Sequence, residues 1–175
     1  LCFTGHRPEA LPERGNEQKP GMRALTDALD EVVLRALDEG FTLFLAGGAQ
    51  GFDTLAAEAV LRHTAGGDAH LFLALPGFDQ AAGWSTEETA RYSAVLAAAG
   101  DGVLYAAEQC SPDSMRRRNR FLVDHAGKCV AYLCRMRGGT LYTVNYALEN
   151  GVPVENLAMP ASSRRTYAEA PDVSD

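Results

Sequence analysis

Three short segments carry residue types suited to holding an anion. The first is Thr4-Gly5-His6-Arg7-Pro8, where a glycine permits close backbone approach and His6 and Arg7 supply donors. The second is Gly47-Gly48-Ala49-Gln50-Gly51-Phe52-Asp53, whose small residues let successive backbone N–H groups face a phosphate at a helix start. The third is Gly138-Gly139-Thr140. None of the three is the dinucleotide fingerprint G-x-G-x-x-G or a P-loop ending in Lys-Ser/Thr. Taken singly, each also reads as a polar loop or a glycine turn needed only for packing. Taken together at one edge of a sheet, they point to a shared nucleotide-like ligand.

A fourth segment is basic: Arg116, Arg117 and Arg118, followed by Asn119 and Arg120. At about 100° per residue, Met115, Leu122, His125 and Ala126 share one helix face, with Phe121 nearby and Arg118 in its middle. Asn119 borders that face. Arg116, Arg117, Arg120 and Asp124 point away, and Arg120 and Asp124 are spaced for a solvated i,i+4 pair. An arginine on an inward face needs a phosphate or a carboxylate, so ligand contact and structural salt bridge are its two readings. No Ser-His-Asp, Cys-His or metal-ligand spacing can be assembled, so no metal is expected and no catalytic residue is assigned. His63 reads as a helix-end surface residue. His125 is expected to pack on the sheet or bond a backbone group. Trp84 is expected to stack on a base or pack against the core, and Tyr142 and Tyr146 to be half-buried.

The elements that must position these segments follow from hydrophobic spacing. Residues 1–4 form a strand ending in Gly5. Met22, Leu25, Leu29, Val32, Val33, Ala36 and Leu37 recur at helical spacing over residues 22–39, and Gly40 sits at the C-cap. Residues 41–46 make a buried strand. Asp53 or Thr54 caps a helix to about His63, and residues 70–75 make the next strand. Ser85-Thr86-Glu87-Glu88 is a capping box opening a helix to about Ala99. A strand follows at 103–107. Ser111-Pro112 opens a helix to about Ala126, residues 129–134 make a strand, and the Gly138-Gly139-Thr140 loop leads into a helix ending near Asn150. Residues 152–157 form a last strand, placed at an edge by Pro153. Such alternation predicts an α/β fold, a Rossmann-like three-layer α/β/α sandwich with a mostly parallel central sheet. Ligands of such folds bind beyond the carboxyl ends of the strands.

The chain has 175 residues, 46% hydrophobic and 22% charged, enough for one domain with its own core. Residues 1–159 are expected to form that domain and residues 160–175 a polar, flexible tail. No apolar run approaches the roughly 18 residues of a membrane helix, and no secretory signal is visible, so a cytoplasmic protein without a membrane partner is expected. Cys2, Cys110, Cys129 and Cys134 form no C-x-x-C pair and read as reduced core thiols. Net charge is −7, which argues against non-specific nucleic-acid binding while leaving room for a local basic pocket.

The segments Thr4 to Pro8, Gly47 to Asp53, Met115 to Asn119 and Gly138 to Thr140 together resemble the YpsA-type branch of the SLOG superfamily, over residues 1 to about 157. The superfamily includes the DNA-uptake protein DprA and the lonely-guy (LOG) phosphoribohydrolases. The resemblance implies a Rossmann-like, bacterial, nucleotide-binding or nucleotide-sensing domain with no obligatory cofactor. Its ligand would be a nucleotide or derivative. The implied ligand-binding residues are Thr4, Gly5, His6, Arg7, Gly47, Gly48, Ala49, Gly51, Asp53, Arg118, Asn119, Gly138, Gly139 and Thr140. A homodimer is compatible with it. LOG enzymes carry M-x-x-R-K and then P-G-G-x-G-T-x-x-E; here Asn119 replaces the lysine and Thr143 stands where the glutamate belongs. A threonine cannot serve as that carboxylate, so N-glycosidic hydrolysis would need Glu9, Asp53 or Glu58 instead. LOG-like hydrolysis and DprA-like DNA binding are the alternatives to a sensor.

Overall fold

A computed structural model of the chain describes residues 1–163. Six strands and five helices alternate: β1 (Cys2–Gly5), α1 (Pro20–Asp38), β2 (Leu43–Ala46), α2 (Phe52–Thr64), β3 (His70–Leu75), α3 (Thr86–Ala99), β4 (Val103–Tyr105), α4 (Pro112–Asp124), β5 (Cys129–Tyr132), α5 (Gly138–Glu149) and β6 (Val154–Asn156). The strands form one sheet in the order β4-β3-β2-β1-β5-β6. Every neighbouring pair is parallel, so the expected mostly parallel sheet is wholly parallel. Chain order runs outward from β1 to β4, then returns to the other side of β1 at β5. That reversal makes the β1–β5 boundary the topological switch point.

Burial on both faces explains the near-continuous apolar strands. One core lies under α1, α2 and α3, where Phe3 and Phe44 stack with centroids 6.4 Å apart among Leu29, Val33, Phe52 and Val60. The other lies under α4 and α5 and joins Cys2, Leu45, Cys129 and Ala131 to Leu122, Val123, Val144 and Ala147. The result is the three-layer sandwich that the alternation predicts.

Helix starts follow their capping chemistry. Ser85 and Glu88 exchange the two bonds of a capping box, and Ser111 and Ser114 do the same ahead of α4, with Pro112 in its first turn. The first helix opens two residues earlier than its apolar spacing suggests, because Pro20 is preset for a helix start. The second differs more. Gly51, not Asp53 or Thr54, is its N-cap, and Asp53 sits buried inside the first turn. Strands β2, β4 and β5 are shorter than their apolar runs, since pairing with neighbours sets their ends. Pro153 precedes β6 at the edge as expected, and its carbonyl accepts from Cys129 N at 2.9 Å.

One edge contact has no precursor in the sequence pattern. Glu155 of β6 is buried and accepts two bonds from Arg35 of α1, at 2.7 and 2.8 Å, with Lys128 at 3.2 Å. Two cations offset the cost of burying its charge. Cys2 and Cys129 are core thiols as expected, whereas Cys110 is half-buried in the loop before α4, and Cys134 is exposed because β5 ends at Tyr132. No helix among the described residues is long and apolar enough to cross a membrane. Of the expected tail, residues 164–175 lie outside the described residues.

Candidate anion-binding crevice

Because all six strands are parallel, the loops after β1, β2 and β5 emerge at one edge. A crevice of about 510 Å³ opens there at the switch point. Thr4, Gly5, His6, Arg7, Ala49, Asp53, Arg118, Asn119, Gly138, Gly139 and Thr140 line it. Gly47, Gly48 and Gly51, also expected there, do not; they shape the wall instead.

Gly47 shows how. A Cβ at this position would collide with the Arg118 guanidinium and come 2.6 Å from Asp53 Oδ2. Only glycine leaves the slot in which Arg118 lies. Gly51 has φ +87°, in the left-handed region, and a Cβ there would meet His6 O at 2.7 Å and Pro8 N at 2.9 Å. At the end of β1, a Cβ on Gly5 would collide with the Phe52 ring. The loop is also held by Gln80, whose amide donates to Gly47 O at 3.2 Å and Gly48 O at 2.6 Å.

Helix α4 turns Arg118 inward, as its face arithmetic requires, while Arg116, Arg117 and Arg120 are exposed. Arg118 Nη1 lies 3.5 Å from Asp53 Oδ2, and both side chains are largely buried, at 11% and 7% exposure. Asp53 Oδ2 also accepts from Ala49 N at 3.4 Å. Burial pushes the Asp53 carboxyl above its ordinary value, opposed by Arg118 and then Arg7. Burial likewise lowers Arg118, opposed first by Asp53, yet a guanidinium starts so high that it stays charged. Arg118 Nε is buried without an acceptor among the described residues. Both readings of Arg118 thus have a counterpart: it has a carboxylate partner and it lines the crevice.

Two expected neighbours behave differently. Met115 is 41% exposed at the crevice rather than packed inward. Arg120 and Asp124 do not pair with each other. Arg120 Nε donates to Tyr142 O–H at 2.7 Å and its guanidinium sits 5.6 Å from the Tyr146 ring centre, while Tyr146 O–H donates to Asp124 at 2.9 Å. The two half-buried tyrosines of α5 intervene. The i,i+4 pair on this helix is Asp113 with Arg117, at 3.1 Å. His63 bonds Asp30 at 2.9 Å, His125 bonds Phe121 O at 2.9 Å, and Trp84 packs at the core edge against Tyr92 with centroids 5.2 Å apart.

The opposite wall supplies groups that residue types alone do not single out. Arg135 and Arg137 line the crevice beside the N-terminus of α5. That terminus presents backbone N–H groups and a positive dipole end. Four arginines and two carboxylates, Glu9 and Asp53, therefore surround the crevice, within a chain of net charge −7. Of the carboxylates weighed for catalysis, Glu58 is elsewhere, bonded to Arg91. Thr143 is fully buried and spends its hydroxyl on Gly139 O at 2.9 Å.

His6 links the two walls. Its Nε2 accepts from Arg135 N at 3.1 Å, and Arg135 Nη2 donates to Glu9 O at 3.0 Å. Partial burial and the Arg135 charge hold the His6 pKa below its ordinary 6.5. The ring is neutral at pH 7, with its proton assigned to Nδ1 by that bond. A depressed histidine stabilises the fold above the unfolded pKa and loses this as pH falls through the folded one. Urea unfolding should therefore show stability falling between about pH 7 and pH 5, with part of the fall absent in His6→Gln. An unchanged slope in that variant would contradict the assignment.

Comparison with known proteins agrees with this frame. The model of the YspA SLOG family matches residues 1–151. A structure of DNA processing protein A from Helicobacter pylori, reported for its single-stranded DNA binding mode, is similar with a TM-score of 0.62 at 16% identity, covering 95% of this chain and 69% of that one. DNA processing protein A from Streptococcus pneumoniae is similar with a TM-score of 0.58 at 20% identity. There the match covers 87% of this chain and 48% of the other, so the chain spans about half that protein's length. These likenesses establish the fold. No curated protein matches the sequence.

Proposed function

Since the chain belongs to the YspA SLOG family, we propose that it is a nucleotide-binding domain whose β1–β5 crevice holds the phosphate of a small nucleotide or nucleotide derivative, acting as a sensor or adaptor. One observation carries this reading: four arginines and the N-terminus of α5 converge on a concave site at the switch point of an otherwise acidic chain. Arg118 supports it further, because it brings a largely buried guanidinium to the crevice wall, where a charge-assisted bond to a phosphate is strong.

The experiment is a thermal-shift screen of nucleoside mono-, di- and triphosphates. A ligand selective for the folded state raises its stability, by about 2.7 kcal/mol at a hundred times Kd. No shift with any nucleotide would remove the proposal.

Catalysis is not part of this reading. With Thr143 locked to its own helix and Glu58 outside the crevice, release of free base from AMP should be undetectable at high protein concentration. Turnover abolished by Glu9→Gln or Asp53→Asn would move the assignment to a hydrolase.

A second reading has its own support. The exposed Arg116, Arg117 and Arg120 lie on α4, the helix that also carries Arg118, and two similar structures are of DNA processing proteins, one reported for single-stranded DNA binding. A binder of single strands would show affinity falling steeply with salt, by about 0.7 log units per decade for each phosphate contacted. A mononucleotide held by one or two groups would not.

A further inference from the structure

Beside the crevice, on the face covered by α1, α2 and α3, lies a second recess of about 180 Å³. It shares no lining residue with the crevice. The partition consists of two adjoining segments: Arg7 and Ala49 face the crevice, while Pro8, Gln50 and Gly51 face the recess. The close approach of Gly51 to His6 and Pro8 seals them together.

The recess has the composition of a ligand site rather than a packing defect. Leu11, Met22 and Leu55 form apolar walls and Trp84 contributes an indole. The volume is near that of a cavity of about 150 Å³ that takes benzene. The segment that brings Leu11, Gly15 and Glu17 to the recess has an unusual shape between them: Glu13 and Arg14 have φ of 43° and 56°, in the left-handed region. The Glu13 carboxylate fixes that turn by accepting from Gly21 N and Met22 N, both at 3.2 Å, at the start of α1.

The electrostatics oppose those of the crevice. Among the described residues Arg91 is the only cation lining the recess, and it is bonded to Glu58 at 2.6 Å and Glu17 at 2.6 Å. Glu88 adds a further carboxylate, bonded among the described residues to the neutral Ser85 and Gln50. With Glu17 and Glu88 in the lining and Glu58 behind Arg91, carboxylates outnumber the one guanidinium and leave the surroundings negative.

We propose that this recess is a second binding site, for a small organic cation with an apolar body. The body lies against Trp84, Met22 and Leu55, and the ammonium sits at the rim formed by Glu17 and Glu88. The proposal does not depend on what the crevice holds.

Trp84 is the only tryptophan in the chain, so its emission reports this site directly. The probes are 2-phenylethylamine, 2-phenylethanol and phenylacetate, which share a ring and differ in charge. The amine should shift Trp84 emission with half-saturation at about 1 mM, as expected of a fragment this small. The alcohol should be weaker by about fivefold and phenylacetate should not bind, reflecting an exposed charge interaction. Glu17→Gln and Glu88→Gln keep the hydrogen-bonding shape and should each weaken the amine alone. No emission change with the amine, or equal responses to all three probes, would overturn the proposal.

Discussion

Arg118→Leu should lower the stability of the ligand-free protein by about 3 kcal/mol, the low end for removing one partner of a buried ion pair. The low end applies because the Arg118–Asp53 contact is long, at 3.5 Å. The melting temperature should drop by roughly 10 °C for a chain of this size. The loss comes from stranding Asp53, which is 5% exposed and would keep the Arg7 charge and the backbone N–H groups of Ala49 and Gly5, but no ion-pair partner, to offset its charge. Two consequences separate this cause from a simple cavity. The deficit should shrink in acid: a carboxyl whose folded pKa is raised above 3.8 favours folding while protonated and opposes it as pH rises through that range. The double variant Asp53→Leu/Arg118→Leu should recover most of the loss, since apolar replacement of a buried pair is often neutral. Calorimetric melting of the three variants at two pH values checks both. A single variant that melts like the parent would show that the pair contributes nothing.

Because Arg118 is structural as well as crevice-lining, it is a poor test of ligand contact by itself. Arg137 is a clean one. It lines the crevice beside the α5 N-terminus, is exposed, and its side chain has no hydrogen bond or ion pair among the described residues. Arg137→Ala should change stability by less than about 0.5 kcal/mol. Removing a charge-assisted phosphate contact should cost about 1.5–3 kcal/mol of binding, a factor of roughly 10–150 in Kd. Arg117→Ala is the control, since Arg117 pairs with Asp113 on the outer side of α4. It should leave the affinity within about twofold, mostly through screened long-range attraction. Equal losses for the two variants would indicate a diffuse basic surface and favour the single-strand reading.

The framework of the crevice was legible in the sequence because it rests on local rules. Apolar runs alternating with amphipathic stretches dictate a parallel sheet, and a parallel sheet puts the loops after β1, β2 and β5 at one edge. Helix periodicity alone turned Arg118 inward. What stayed illegible depends on contacts between distant residues. Asp53 reads as a helix cap, yet the tertiary fold turns it toward an arginine 65 residues away. Arg135 and Arg137 look like loop polarity until β5 ends early and points them at the crevice. Gln80, which holds the glycine loop, sits in a segment with no motif. The Arg120–Asp124 pair fails because two tyrosines from the next helix compete for both partners. Glu13 and Arg14 adopt left-handed conformations that no composition signal announces, stabilised by the Glu13 bonds to the start of α1.

The central claim is that the β1–β5 crevice holds a nucleotide phosphate, and calorimetric titration tests it most directly. The tightest nucleotide from the thermal screen is titrated into the parent protein and into Arg137→Ala, with a single-stranded oligonucleotide as the comparison ligand. The account predicts one nucleotide per chain, affinity weakened at least about tenfold in Arg137→Ala, and a shallow salt dependence. Undiminished affinity in Arg137→Ala, or binding of the oligonucleotide alone with a steep salt dependence, would contradict it.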